Sequence, residues 1–220
     1  MATILLTSGP TRQYLDPVRY LTNASSGRMG AALASAILDR GHTLHIVTGP
    51  VAVTYPDAAT VHPVTTTDEM LDCCRRLFPQ CDGAIGAAAP CDYRPRKIAE
   101  GKIAKDGEPL VVELVETPDV IADLGKSKRR NQWTVAFALE TEDRRFRAMV
   151  KLERKLCDLV ISNGPAAIDS TTNAIEIIDA AGETVFRGDD DKTKLAVQIV
   201  DVIQRRLLSP NGSDDSPLNA

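Results

Sequence analysis

Short apolar runs that end in Gly-Pro alternate with stretches of helical periodicity along this chain, and few folds accommodate that alternation. Residues 2–7 (ATILLT) have the length and composition of a buried strand, stopped by Ser8-Gly9-Pro10. After a long polar loop, 11–26, residues 27–40 carry apolar side chains at helical spacing and stop at Gly41, a C-terminal cap. Residues 43–48 (TLHIVT) form a second strand, again closed by Gly-Pro. The pattern then repeats. A strand over 61–65 leads to a helix over 67–78, capped by Thr67 or Asp68, and to a small-residue strand over 83–89. Strands alternating with helices predict an α/β fold with a doubly wound, mostly parallel sheet. Aromatic residues are only 4% of the chain, so Ala, Val, Ile and Leu must build the core, which suits strands buried on both faces.

Residues 90–109 interrupt the rhythm. They hold Pro90, Pro95, Gly101, Gly107 and Pro109, with the cations Arg94, Arg96, Lys97, Lys102 and Lys105, and read as a mobile basic loop. A structureless stretch of that length inside a compact domain is uncommon unless it is functional or disordered. Residues 109–116 (PLVVELVE) alternate like a half-exposed strand, and Thr117 then caps a helix with Pro118 at its first position. Further strands lie over 134–139 and 159–162, with an amphipathic, charge-rich helix over 142–156 between them. Residues 174–179 and 184–187 make a hairpin across Ala180-Ala181-Gly182, and the last helix covers 191–208. One domain is expected over 1–208, followed by a disordered tail over 209–220 that is rich in Ser, Asp, Asn and Pro. The strand over 109–116 and the hairpin over 174–187 each keep an apolar face that needs cover. Both are expected to leave the sheet and pair with a second chain.

Several classes of function are disfavoured. The formal net charge is −4 with no long run of one sign, so the basic face of a nucleic-acid binder is missing. No apolar stretch approaches the roughly 20 residues of a membrane helix. Met1 leads straight into a strand rather than a signal peptide, and a cytoplasmic protein is expected. The cysteines, Cys73, Cys74, Cys81, Cys91 and Cys157, are odd in number and fit no zinc spacing. They read as reduced, mostly buried thiols.

Three constellations can carry chemistry. The first links the first strand to the first helix: Thr7-Ser8-Gly9-Pro10-Thr11-Arg12, then Asp16 through Gly30. In a doubly wound sheet this is the ligand crevice, and a helix N-terminus there suits phosphate. Gly9, Ser25, Ser26 and Gly27 belong either to a phosphate cradle or to a capping loop with glycines for packing. The spacing is neither the G-x-G-x-x-G dinucleotide fingerprint nor a P-loop. Within the loop, Asn23 offers a donor and an acceptor and Arg19 a fork for anions; both residue types also fold loops. The second constellation is residues 87–93 followed by Lys102-Ile103-Ala104-Lys105. Asp92, just past a strand end, suits a ribose hydroxyl, a base or a hydrated Mg²⁺. Lys102 and Lys105 either swing onto phosphates or form a solvated basic loop. The third is Lys151 and Lys155, four apart on one helix face, an anion contact or a surface pair relieved by Glu153 and Asp158.

The order of these blocks is specific. Asp16-Pro17-Val18-Arg19-Tyr20, Asn23, Ser25-Ser26-Gly27 and Met29-Gly30 are followed by Val47-Thr48-Gly49-Pro50, Thr67-Asp68-Glu69-Met70 and residues 87–93. The lysine loop, Thr117-Pro118-Asp119, Phe137-Ala138-Leu139-Glu140-Thr141, Lys151, Lys155 and Asn163 complete it. On these residues the chain resembles the phosphopantothenate–cysteine ligase family, the second activity of a bacterial bifunctional coenzyme A biosynthesis protein. No flavin-binding decarboxylase half precedes the match in this sequence, and a single-activity form is expected.

The resemblance implies a Rossmann-like fold with a protruding β-flap that makes a homodimer, with the substrate pocket at that interface. It also implies the reaction. The carboxylate of 4′-phosphopantothenate attacks the α-phosphate of CTP to give an acyl-cytidylate and pyrophosphate. The amine of L-cysteine then displaces CMP, and Mg²⁺ offsets the triphosphate charge. ATP stays open as the other nucleotide. By the same resemblance Lys102 serves the phosphates during activation, Asn23 with Arg19 orients the acyl intermediate, and Lys105 lies on the substrate side. Ala89, Asp92, Phe137, Lys151 and Lys155 match nucleotide-contacting positions, as does the loop of Gly9, Ser25, Ser26 and Gly27. No metal ligand is assigned. The family's Lys-Ile-Lys-Lys loop reads Lys102-Ile103-Ala104-Lys105 here, and its Ala-Val-Ala/Ser-Asp run reads Ala89-Pro90-Cys91-Asp92. After Asn163 the chain has Ile168-Asp169 and Asn173. Two alternatives remain on the same fold: an NAD(P)-type oxidoreductase, against which the missing glycine fingerprint argues, and a non-catalytic nucleotide-binding module, against which the retention of Asn23 and Lys102 argues.

Overall fold

The computed structural model describes residues 1–139, 144–164 and 172–209. In chain order the elements are β1 (Thr3–Ser8), β2 (Arg12–Tyr14), β3 (Tyr20–Thr22), α1 (Arg28–Asp39), β4 (Thr43–Thr48), β5 (Thr60–Pro63) and α2 (Thr67–Leu77). They continue as β6 (Gly83–Gly86), β7 (Tyr93–Pro95), β8 (Leu114–Glu116), α3 (Val120–Ser127), β9 (Trp133–Leu139) and α4 (Arg144–Lys155). The chain then runs through β10 (Leu159–Asn163), β11 (Thr172–Asp179), β12 (Thr184–Asp191) and α5 (Lys192–Ile203).

An eight-stranded sheet runs in the order β12-β11-β10-β9-β6-β1-β4-β5. Six of its strands are parallel, and β11 and β12 add an antiparallel edge. Numbered along the chain, the parallel strands stand in space as third, second, first, fourth, fifth, sixth, the doubly wound Rossmann order. β1 shows why such strands are apolar throughout. Ile4 and Leu6 pack with α1 and α5, whereas Leu5 between them packs with α2 and α3. Leu33 and Ile37 of α1 with Leu195 and Ile199 of α5 fill one layer; Met70 of α2, Leu124 of α3 and Leu152 of α4 fill the other. No described helix is long and apolar enough to cross a membrane.

Local signals placed most elements within a residue or two, and the differences have local causes. The cap of α2 is Thr66 rather than Thr67 or Asp68: its hydroxyl accepts from Glu69 N while the Glu69 carboxylate accepts from Thr66 N, a reciprocal capping box. The cap of α3 is Asp119 rather than Thr117, because Asp119 Oδ1 accepts from Ala122 N at 3.1 Å. The Thr117 hydroxyl is drawn instead to the Cys91 carbonyl at 2.5 Å. The polar loop over 11–26 contains an antiparallel pair, β2 with β3. The basic segment is tied at both ends by β7 pairing with β8, which keeps only the last three residues of the strand expected over 109–116. The hairpin β11–β12 does not leave the sheet. β11 pairs with β10, and Ile175 and Ile177 are covered by Leu195 and Ile199 of α5. The apolar face that called for a second chain is therefore covered by this one. The tail over 210–220, Glu140, Thr141, Ile168 and Asp169 lie outside the described residues.

Candidate active site

A cleft of about 210 Å³ opens at the C-terminal ends of β1, β6 and β9. Its floor is made of small residues. Gly86 ends β6 and Ala88 follows it, and a Cβ on Gly86 would collide with Ile121. Phe137 of β9 presents a half-buried ring, and Asp92 and Glu116 stand at the rim. The N-terminus of α3 forms one wall with Asp119, Val120 and Ile121; the last turn of α4 forms the facing wall with Arg154 and Lys155. Lys155 is mostly buried, and its Nζ stands 3.2 Å from Asp119 Oδ2. Asp119 thus caps α3 through one oxygen and meets the ammonium through the other. Two cations, a helix N-terminus and a flat ring suit an anionic ligand that carries an aromatic group. Cys91 also lines the cleft, but burial pushes its thiol above its ordinary range, against the pull of its contact with Thr11. All five cysteines are free and buried, and burial pushes Cys81 and Cys157 up to about 11. Protonated thiols of this kind are poor nucleophiles at neutral pH.

The crevice beside α1 is different. A Cβ on Gly9 or Gly27 would lie 2.6 Å or 2.8 Å from Val51 Cγ1. Gly27, the left-handed cap of α1, therefore abuts Val51 and Val53. The Tyr55 hydroxyl closes the gap between β1 and β4, 2.9 Å from Ser8 Oγ and 2.8 Å from Thr48 Oγ1. Between β1 and β6 the backbone pairs beyond the strands, Ala87 N to Thr7 O at 3.2 Å and Ala89 N to Gly9 O at 2.9 Å. The chain's own side chains thus fill the position where a doubly wound sheet often receives a dinucleotide.

Of the residues singled out from sequence, Asp92, Phe137 and Lys155 meet in the cleft, with Ala88 and Pro90 lining it on either side of Ala89. Asn23 is exposed and reaches the cleft's edge through its amide, which donates to Pro90 O at 2.9 Å and Ala89 O at 3.4 Å. Ser25 and Ser26 are half-buried in the same loop. Arg19 is engaged with Asp16 and with the Ile103 carbonyl, and its buried Nε has no partner among the described residues. Lys102 and Lys105 are exposed on the basic segment, and Lys151 lies one turn before Lys155. None of these seven residues, nor Gly9 and Gly27, lines the cleft. Sequence reasoning passed over Glu116, Asp119 and Arg154. The signal for Asp119 was present in Thr117-Pro118-Asp119, a helix start after a strand; nothing local marked Arg154 among the charges of α4.

Comparison with known proteins agrees with this architecture. The "Coenzyme A biosynthesis bifunctional protein CoaBC" of Vibrio vulnificus strain CMCP6 is 37% identical over 208 residues, covering 92% of this chain and 52% of that protein. A "Cysteine/Cysteine sulfinic acid decarboxylase" from an unidentified prokaryote is 39% identical over 182 residues, 80% of this chain and 50% of that protein. The chain spans about half the length of these curated relatives. The crystal structure of the C-terminal domain of the bifunctional protein CoaBC superposes with a TM-score of 0.81 at 31% identity, covering 94% of this chain and 95% of that one. The model of the DNA/pantothenate metabolism flavoprotein C-terminal domain matches residues 1–207, and the chain belongs to that family.

Proposed function

We propose that residues 1–208 form a single ligase domain of coenzyme A biosynthesis. It joins 4′-phosphopantothenate to L-cysteine through an acyl-cytidylate made from CTP. The observation that carries this reading is the convergence of Asp92, Phe137 and Lys155, from three distant stretches, at one cleft in a chain that matches a CoaBC C-terminal domain over 94% of its length. Phe137 offers a face to the base, and Lys155 with Arg154 offers charge to phosphate. The cleft is smaller than the roughly 300–1,000 Å³ of a whole small-ligand pocket. By the resemblance the triphosphate and the pantothenate extend past Asn23 towards Arg19, Lys102 and Lys105, with Gly9, Ser25, Ser26, Gly27 and Lys151 as further nucleotide contacts. Among the described residues no three acidic, thiol or imidazole side chains stand close enough together to hold a metal ion, so a Mg²⁺ that accompanies the nucleotide would be held mainly by phosphate oxygens and water. Such an ion offsets triphosphate charge as the α-phosphate is attacked. In the second step Asn23 and Arg19 hold the acyl group for the amine. The dinucleotide alternative loses its site to Val51 and Tyr55.

Purified protein with CTP, Mg²⁺ and 4′-phosphopantothenate is expected to release pyrophosphate. Adding L-cysteine is expected to convert the intermediate to the amide and CMP, followed by mass spectrometry. No pyrophosphate with either CTP or ATP overturns the reading, whereas release with ATP alone corrects only the nucleotide.

A homodimer belongs to the same proposal. Tyr20, Tyr93, Ile98, Val111 and Leu114 expose apolar surface on or beside the two small sheets outside the main one. Exposed apolar surface gathered in this way marks an interface. Sedimentation at micromolar concentration is expected to give the dimer mass; a monomer there removes the flap interface from the proposal.

A further inference from the structure

Asp16 lies in the turn between β2 and β3, and its side chain is fully buried. A carboxylate is tolerated there only if donors replace the water it has lost. Four do so. Oδ1 accepts from Val18 N and Arg19 N, both at 2.8 Å, and Oδ2 accepts from Ile103 N at 3.1 Å and Arg19 Nη2 at 2.8 Å. Burial works to raise its pKa, but these hydrogen bonds and the guanidinium outweigh it and hold the carboxyl below its ordinary range. The two Oδ1 bonds suffice to close the turn. The Oδ2 bonds do something else, because Arg19 Nη2 also donates to the Ile103 carbonyl. Ile103 is therefore gripped at both its N–H and its C=O by an ion pair more than 80 residues away in sequence. Ala99 N adds a bond to Leu15 O at 3.0 Å.

The grip falls on the one half-buried residue of the Lys102-Ile103-Ala104-Lys105 run, whose other three residues are exposed. A long flexible lysine finds a phosphate only if its backbone is held in register, and a misplacement of about 1 Å can cost on the order of 10²-fold in rate. We propose that Asp16, acting through Arg19 and Ile103, is a positioning residue that sets where Lys102 stands. Its effect on rate rests on the ligase reading above; the grip itself does not. The turn that carries Arg19 leads directly into Asn23, so one buried carboxylate fixes the acyl-handling loop and the phosphate-handling loop to each other. Arg19 is correspondingly a strut of the site as well as an anion fork.

Asp16→Asn is nearly isosteric and replaces Oδ2 with a group that cannot accept. It is expected to keep its fold by circular dichroism, to gain trypsin cleavage after Lys102 and Lys105, and to lose about 10–100-fold in kcat for pyrophosphate release, with the KM for CTP within about threefold. In a Lys102→Gln background the same substitution is expected to have no further effect on kcat, because it acts through that lysine. If Asp16→Asn does not fold, Ile103→Pro removes the same N–H from the other side and carries the test through trypsin cleavage after Lys105 and through kcat, since trypsin does not cut the Lys102–Pro bond it creates. An unchanged trypsin pattern, or an equal loss of rate with and without Lys102, overturns the proposal. A wild-type protein that releases no pyrophosphate refutes the ligase reading instead, and the trypsin pattern alone then decides whether the grip exists.

Discussion

Lys102→Gln is expected to lower kcat for pyrophosphate release by about 10²–10³, the typical loss when one preorganised electrostatic contact is removed from a transition state. In the proposed reaction negative charge builds on the leaving pyrophosphate as the carboxylate attacks, and a cation that meets it only then acts on kcat more than on binding. The KM for CTP should therefore change little. The melting temperature should not move, since Lys102 is exposed and its neighbour Ile103, not its own side chain, ties the segment down. Lys105→Gln should cost less, because the resemblance gives the phosphate role in activation to Lys102 and puts Lys105 on the substrate side. Near-normal turnover by Lys102→Gln would transfer the phosphate role to Lys155, which already stands in the cleft with Arg154.

Gly125→Ala tests the opposite wall. A Cβ at Gly125 would run into the Lys155 carbonyl oxygen and would lie 3.1 Å from that carbonyl carbon and 3.3 Å from Leu156 O. These are backbone atoms, and Leu156 O is itself held by Lys128 Nζ at 2.8 Å, so no flexible side chain can yield. Overpacking of this kind costs about 1–3 kcal/mol. In a chain of this size that lowers the melting temperature by roughly 2–12 °C. The relief available is for α3 and α4 to part, which carries Lys155 away from Asp119 and widens the cleft. Gly125→Ala is thus expected to weaken CTP binding together with stability, read by calorimetry and by the KM for CTP. A variant with an unchanged melting temperature would show that the two helices do not meet as closely as described.

The two substitutions probe groups of different legibility. Lys102 stood out because a glycine-flanked basic run is unusual inside a domain, and the resemblance named its role. Gly125 did not stand out, because a glycine inside a helix says nothing of which backbone lies against it. The same contrast runs through the site. Asp92 follows a strand end, where a doubly wound sheet receives its ligand, and was accessible to pattern reasoning, whereas Phe137 was named by the resemblance. Arg154 was hidden among the charges of α4. Asp16 entered only as the first residue of a motif: its two local bonds are those any Asx turn makes, and its bond to Ile103 has no local signature. The hairpin β11–β12 was read correctly as a hairpin and misplaced in space, because its alternation records an apolar face but not what covers it.

The sequence by itself determined the alternation of strands and helices, the parallel class of the sheet and the family, because strand and helix periods, caps and motif order are local properties of the chain. Tertiary structure alone decided that α5 covers the edge hairpin, that Val51 and Tyr55 fill the crevice beside α1, and that the cleft opens between α3 and α4. Each of these is a contact between segments distant in the sequence, set by how the helices pack across the two faces of one sheet.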